Sequence, residues 1–172
     1  MYWRMDSLNR ALRYYNKSRK LNEAIDNQYA LGKIYGNIGT IYHIQKKSRQ
    51  AIEYYKKSLI IKERFLDKRG IAATNTNLCE LYCDLANYEN ALPYCNKSMK
   101  DAEVVKDYEV MANTALARYK VAKAKGENGS TLAHYESYVA YKDSLNNNEK
   151  DIEIQKIISE YEAEKQKTID RQ

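Results

Sequence analysis

The chain has 172 residues, of which six are glycine and one is proline. Because these two residues interrupt helices most strongly, the composition predicts a chain that is helical throughout. No window of about 18 apolar residues occurs, so no membrane span is expected within it. The net charge is +6, but lysine and arginine are mixed with glutamate and aspartate, which is typical of solvated helix faces. Direct binding of nucleic acid by this segment is therefore not expected.

The sequence repeats itself at an interval of 40 residues. The phrase "ALRYYNKSR" at 11–19 is followed by "AIEYYKKSL" at 51–59, "ALPYCNKSM" at 91–99 and "TLAHYESYV" at 131–139. The four copies align without a gap. A fixed period of this size indicates a solenoid of stacked units.

Within a unit, apolar residues recur at helical spacing on both sides of a short polar break. The breaks fall at 45–50, 85–90 and 125–130, and each is too short for anything but a tight reversal. Each unit is therefore predicted to be two antiparallel helices.

The predicted boundaries divide the chain into repeats over 1–146 and a C-terminal capping or linker helix over 147–172. The repeat units are expected at about 1–31, 32–71, 72–111 and 112–146. Tyr2 shares a column with Tyr42 and Tyr82, late in a first helix. The register thus predicts that most of that first helix is missing, and that the chain is a fragment of something longer.

The segment "NIGTIYHIQKKSRQAIEYYKKSL" resembles a tetratricopeptide repeat. Gly39, Tyr42, Ala51 and Tyr55 stand at the small, aromatic, small and aromatic positions of that motif. The resemblance implies an all-α fold, a right-handed superhelix of antiparallel helix hairpins that binds proteins or peptides without catalysis. The period of 40 exceeds the usual 34 residues, which implies longer helices.

The end of the chain carries a narrower resemblance. "YVAYKDSLNNNEKDIEIQKIISEYEAEKQ" is similar to the segment that closes the tetratricopeptide sensor region of Bacteroidetes-type signalling proteins. In those proteins a membrane helix usually follows, and then a histidine-kinase module or a LuxR-type DNA-binding domain. The resemblance implies a sensory or regulatory region on the periplasmic side of the inner membrane. Two alternatives stay open, a free-standing scaffold and a cytoplasmic regulator that binds a secreted signalling peptide.

We expect the working surface to be the concave groove formed by the first helix of each unit. The residues predicted to bind a ligand there are Asn37, Thr40, His43, Asn77, Glu80, Lys120 and Lys123. Asn37 and Asn77 share a column. An asparagine amide can donate to and accept from a peptide backbone at once, which favours an extended peptide or protein segment. The alternative is that these are ordinary polar residues on a wet inner wall.

One specific partner is not expected. Tetratricopeptide co-chaperones hold a C-terminal carboxylate with lysine, asparagine and arginine side chains at fixed positions. Here four of those positions hold Gly36, Thr40, Asn113 and Ala117, and only Asn77 matches. The tail of a heat-shock protein is therefore not the predicted ligand.

No catalytic constellation, cofactor motif or metal-ligand spacing is recognisable. The two histidines, His43 and His134, lie more than two repeat periods apart. Cys79, Cys83 and Cys95 lack zinc-site spacing, and their odd number argues against a disulfide framework. We expect buried thiols and a non-enzymatic protein.

The last segment carries a narrow apolar stripe, formed by Ile154, Ile157, Ile158 and Tyr161. This stripe is predicted to cap the open end of the solenoid. Alternatively, it begins a coiled coil that carries a signal onward or pairs two chains into a homodimer.

Overall fold

The computed structural model describes the backbone of residues 2–169 and the side chains of residues 6–147 and 159. Over this range the protein is built from helices and short links. In chain order the helices are α1 (Tyr2–Ala24), α2 (Gln28–Ile44), α3 (Ser48–Arg64), α4 (Lys68–Asp84), α5 (Tyr88–Val105), α6 (Tyr108–Lys125) and α7 (Asn128–Ile169). The closest pairs are α2 with α3, α4 with α5 and α6 with α7. The predicted all-α solenoid of helix hairpins is confirmed.

Each helix from α2 to α6 occupies 20 residues together with its link, which explains the 40-residue period. A residue with positive φ ends each helix from α1 to α6, at Asp26, Lys46, Leu66, Ala86, Lys106 and Gly126. After α3, for example, the N–H of Asp67 donates to the carbonyl of Lys62 at 3.0 Å, as in a Schellman motif. Asp67 then caps α4 by accepting from the N–H of Gly70 at 2.9 Å.

The links between hairpins lie earlier than the predicted unit boundaries. The helices α2, α4 and α6 begin at residues 28, 68 and 108, whereas the units were expected to start at 32, 72 and 112. The link after α3 contains Phe65 and Leu66, with Leu66 at φ 54° and 77% exposed. Because this link is apolar and lacks glycine, it does not resemble a turn in the sequence.

Two expectations about the ends are wrong. α1 runs unbroken from Tyr2 to Ala24, so Tyr2 shares a helix with the phrase at 11–19 and does not lie late in a separate first helix. α7 likewise continues past residue 147 to Ile169, so no separate C-terminal helix begins there. Neither place contains glycine or proline, and nothing interrupts the helical pattern. The side chains of the stripe at 154–161, and any homodimer through it, lie outside the described residues.

The contact that closes the α2/α3 hairpin depends on a glycine. The ring of Tyr55 is fully buried and lies directly against Gly39. A Cβ atom at Gly39 would stand 2.6 Å from Cδ1 of the ring, which is far inside van der Waals contact. The Tyr55 hydroxyl donates to Oγ1 of Thr40 at 3.2 Å, and burial raises the pKa of Tyr55 to about 12.

The next hairpin uses a disulfide bond at the same two columns. Cys79 of α4 and Cys95 of α5 are fully buried and bonded, with their Cα atoms 5.2 Å apart. The expectation of free thiols is wrong for these two residues, because facing columns of a hairpin bring them together. Cys83 keeps its thiol, and burial raises its pKa to about 11. In the α6/α7 hairpin the same columns hold Tyr119 and Tyr135, whose ring centroids lie 5.4 Å apart.

Successive hairpins share an apolar core. Leu59 of α3 packs with Ile71 and Leu78 of α4, and all three side chains are buried. The small column residues Ala51 and Ala91 are fully buried, as close approach of neighbouring helices requires. The stacking therefore holds α2, α4 and α6 in a fixed order.

Replacing Gly39 with alanine is expected to lower the free energy of unfolding by about 1–3 kcal/mol, because the new methyl group overpacks the Tyr55 ring. Urea unfolding followed by circular dichroism measures the change. Gly129→Ala in α7 is the matched control, since its Cβ would meet nothing within 4 Å. Equal stability of the two variants would contradict this account of the hairpin contact.

Peptide mapping without reductant is expected to recover a peptide that links Cys79 to Cys95, with Cys83 alkylated only after unfolding. Removing the bond in the double variant Cys79→Ala/Cys95→Ala should lower the free energy of unfolding by about 3 kcal/mol, the loop-closure value for a separation of 16 residues. Cys83→Ala should leave the linked peptide in place. A cross-link to Cys83, or none, would refute the assignment.

Candidate ligand-binding groove

The first helices of the hairpins line a groove with two adjoining cavities. The larger cavity, of about 620 Å³, extends from α2 across α4 to α6. The smaller cavity, of about 280 Å³, lies between α2 and α4. Both are bordered by Lys33, Lys62, Ala73 and Asn77. The two cavities therefore form one continuous depression in the described part of the molecule.

Four of the predicted site residues line this depression. Asn37 and Thr40 of α2 border the smaller cavity, Glu80 of α4 borders the larger cavity, and Asn77 borders both. The hydroxyl of Thr40 donates to the carbonyl of Gly36 at 3.2 Å. No hydrogen bond occupies the amides of Asn37 and Asn77 among the described contacts, so both are available to a ligand.

The three other predicted residues lie elsewhere. His43 is at the end of α2, where its Nε2 is 3.1 Å from Oδ2 of Asp84. Lys120 is exposed on α6 and acts on Glu80 through its charge. The Nζ atom of Lys123 lies 3.3 Å from the hydroxyl of Tyr119, on the side of α6 that meets α7. Lys123 is thus separated from the asparagine pair.

The Glu80 carboxyl has an unusual environment. Burial raises the pKa of Glu80, the charges of Lys120 and His43 lower it, and Asp84 raises it again. The net shift is upward from the ordinary value of 4.5. A half-buried carboxyl with this balance can accept a hydrogen bond when ionised and donate one when protonated.

Three lining residues that were not predicted share one column. Tyr29, Arg69 and Glu109 occupy the first turn of α2, α4 and α6, and all border the larger cavity. They were missed because the predicted units started four residues too late and left the first turn of each helix outside the groove. The repeat register would have found them with correct helix starts.

Lys62 was missed for a different reason. It belongs to α3, a second helix, yet its ammonium group borders both cavities. Its side chain reaches the groove through a gap between α2 and α4, where Gly36 and Gly70 carry no Cβ. No pattern in the sequence signals a path that depends on two glycines from two other helices.

The described residues contain no group of three or more histidine, cysteine, aspartate or glutamate side chains arranged to hold a metal ion. No described helix carries an apolar run sufficient to span a bilayer. Four carboxylates of the larger cavity, Asp67, Glu80, Asp107 and Glu109, face a polar space. The arrangement suits hydrogen bonding to an extended polar ligand.

Helix hairpins with a polar groove along their first helices define a class of repeat proteins that bind other proteins. Residues 1–64 match the family model described as Tetratricopeptide repeat. The chain is thus similar to tetratricopeptide-repeat proteins over its first 64 residues, and its helix hairpins continue the same arrangement beyond them. The expected resemblance to this family is confirmed by the match.

Two curated proteins are similar to the chain over much of its length. Over 155 residues, 83% of the chain, it is 26% identical to "Transcriptional activator NprA" of Geobacillus stearothermophilus. Over 104 residues, 56% of the chain, it is 27% identical to "Response regulator aspartate phosphatase E" of Bacillus subtilis (strain 168). The alignments cover 38% and 26% of those proteins, so the chain spans well under half of either. The narrower resemblance to Bacteroidetes sensor regions stays a prediction.

Replacing Lys120 with methionine is expected to raise the pKa of Glu80 further, because a neighbouring positive charge that favours the carboxylate is lost. Since the folded-state pKa lies above the unfolded value, Glu80 stabilises the fold below pH 4.5. That contribution is lost as the pH rises through the folded-state pKa. The ¹³C NMR titration of the Glu80 carboxyl measures the shift. Lys123 lies beside Tyr119, so Lys123→Met should leave the titration of Glu80 unchanged. An equal shift in both variants would contradict the placement of Lys120 near Glu80.

Proposed function

We propose that the chain is the ligand-binding regulatory region of a bacterial signal-transduction protein, and that an extended peptide or protein segment lies along α2, α4 and α6. The observation that carries this proposal is the pair Asn37 and Asn77, at the same position of successive first helices. Asn77 borders both cavities. Two amides one repeat apart can each pair with a peptide group of an extended chain.

The names of the relatives support a regulatory role. One is a transcriptional activator and the other a response regulator aspartate phosphatase, and the alignment with the first covers most of this chain. We favour a transcriptional regulator as the whole protein over a histidine kinase, because the relative aligned over most of this chain is named a transcriptional activator. Both outputs would use the same groove.

A ligand in the groove would act by fixing the angle between hairpins. It would bridge α2 and α4, whose mutual packing sets the curvature of the solenoid. α7 belongs to the last hairpin and continues as one helix to Ile169. A change in that hairpin would therefore move the whole of α7, which would carry the signal onward.

The disulfide supports the periplasmic setting over a cytoplasmic one. Buried disulfides persist in oxidising compartments and are rare where cellular thiols stay reduced. A bond between Cys79 and Cys95 therefore favours the sensor hypothesis over a cytoplasmic regulator of a secreted peptide. The free-standing scaffold remains the alternative from a different class, since it needs the groove but no output domain.

Selection from a phage-displayed library of random octapeptides tests the groove. The wild-type chain is expected to enrich peptides that bind about tenfold more weakly to the variant Asn77→Ala. Leaving a peptide group without its amide partner costs about 1–2 kcal/mol. Asn146→Ala, at an exposed position of α7, is the matched control and should bind like the wild type.

The readout is the dissociation constant of synthetic copies of the enriched peptides, measured by fluorescence anisotropy. Failure to enrich any peptide, or equal binding by wild type and the double variant Asn37→Ala/Asn77→Ala, would refute the groove as the ligand site.

A further inference from the structure

We propose that the smaller cavity is a subsite for a carboxylate of the bound peptide, held by the ammonium groups of Lys62 and Lys33. The inference rests on the proposed function, because it names the chemistry of a ligand in the same groove. It is carried by the path of Lys62, by its lack of a counter-ion and by the distribution of charge along the groove.

The path of Lys62 shows that its charge is directed into the groove. Cδ of Lys62 lies 3.0 Å from where a Cβ of Gly70 would stand, and Nζ lies 3.5 Å from where a Cβ of Gly36 would stand. Any larger residue at Gly70 would obstruct the stem, and one at Gly36 would crowd the ammonium group. Because Lys62 starts on α3, its charge reaches the floor of the groove from behind α2 and α4.

The ammonium group of Lys62 is incompletely satisfied. Its Nζ donates to Oγ1 of Thr74 at 2.8 Å and to the carbonyl of Gly70 at 3.3 Å, both neutral acceptors. An ammonium has three N–H donors, so one remains for a ligand. Among the described residues, no carboxylate oxygen lies within 4 Å of it. Burial lowers the pKa of Lys62, Asp67 raises it and Lys33 lowers it.

A half-buried cation without a counter-ion is costly to the free protein, and an incoming anion removes that cost. Asp67, whose charge raises the pKa of Lys62, caps α4 through Oδ1, which accepts from the N–H of Gly70, and it forms no ion pair with Lys62 within 4 Å. Lys33, the other cation, lies over the ring of Tyr29 at 4.4 Å and has no carboxylate partner among the described contacts. Two unpaired positive charges therefore meet in one cavity.

The carboxylates that line the groove all belong to the larger cavity. The smaller cavity contains Lys33 and Lys62 and no carboxylate, and its other polar side chains are neutral. Those neutral side chains belong to Asn37, Thr40, Thr74 and Asn77. The larger cavity shares both lysines and adds Arg69 and four carboxylates, Asp67 and Glu80 at α4 and Asp107 and Glu109 at α6. Asp107 pairs with Arg69 at 2.6 Å.

This distribution of charge favours a ligand with a single anionic group over a polyanion. A nucleic acid or another polyanion would run from the smaller cavity onto the carboxylates of the larger one and be repelled there. A peptide with one acidic group at the α2 end avoids that repulsion. The subsite is also distinct from the co-chaperone positions considered above, since Lys62 comes from a second helix and none of those positions supplies a cation.

Binding of synthetic octapeptides with a glutamate scanned through each position tests the subsite. One series has amidated C-termini and the other has free C-termini, so that a side-chain carboxylate is distinguished from a terminal one. We expect the wild-type chain to prefer a carboxylate at one position, about tenfold over the matched glutamine or amide peptide. A charge-assisted hydrogen bond of about 1.4 kcal/mol corresponds to that factor.

Lys62→Met keeps the apolar stem and removes the charge, so the preference for the carboxylate should disappear while the glutamine peptide binds as before. Lys33→Met, at an exposed position, should weaken the preference without affecting folding, and it carries the test if Lys62→Met does not fold. Lys56→Met, exposed on the same helix as Lys62, is the matched control and should keep the full preference.

The unfolding midpoint of Lys62→Met separates a binding role from a structural one. We expect it to equal or exceed that of Lys56→Met, because the variant loses a desolvated charge. A clear decrease would make Lys62 a structural staple and overturn the proposal. The proposal would also be overturned if the bound peptides need Asn77 but show no preference for a carboxylate, or if that preference persists in Lys62→Met. In either case the proposed function would stand. If no peptide binds the wild type, both fail together.

Discussion

The length of the helices is the constraint on which the rest of this molecule depends. A residue with positive φ stands at every twentieth position from Asp26 to Gly126, and a new helix begins two residues after each. Equal lengths keep each helix in register with the one that lies a full hairpin away. For this reason Asn37 and Asn77 face the same space, and the columns of the sequence become rows on the surface. A helix one residue longer would turn every following side chain by about 100°.

The gap at the centre of each hairpin is filled by three chemically different contacts. A tyrosine packs on a glycine in the first complete hairpin, a disulfide bond spans the same gap in the second, and two tyrosine rings pack together in the third. The three contacts differ in size, yet the helices α2 to α6 keep nearly the same length and linkage. The repeat therefore conserves a distance between two backbones and leaves the chemistry that fills it free to vary.

The groove also depends on small residues. Gly36 of α2 and Gly70 of α4 have no side chain beside Lys62, and the gap admits the charge of Lys62 from the opposite layer. The result is a surface that is cationic near α2 and carries its carboxylates at α4 and α6. This distribution of charge would fix both the position and the orientation of an extended ligand. It also connects the stacking of the helices to the proposed recognition of an acidic peptide.

Much of this architecture is determined by the amino-acid sequence alone. The 40-residue period, the paired helices, and the placement of Asn37, Thr40, Asn77 and Glu80 on the concave side all follow from local periodicity, which depends only on spacing along the chain. The tertiary structure alone decided three other features: the Cys79–Cys95 bond, the pairing of His43 with Asp84, and the route of Lys62. Each of these joins residues from different helices, so it depends on the distance between helix axes. Periodicity shows which face a side chain occupies, but not how far away the opposite face lies.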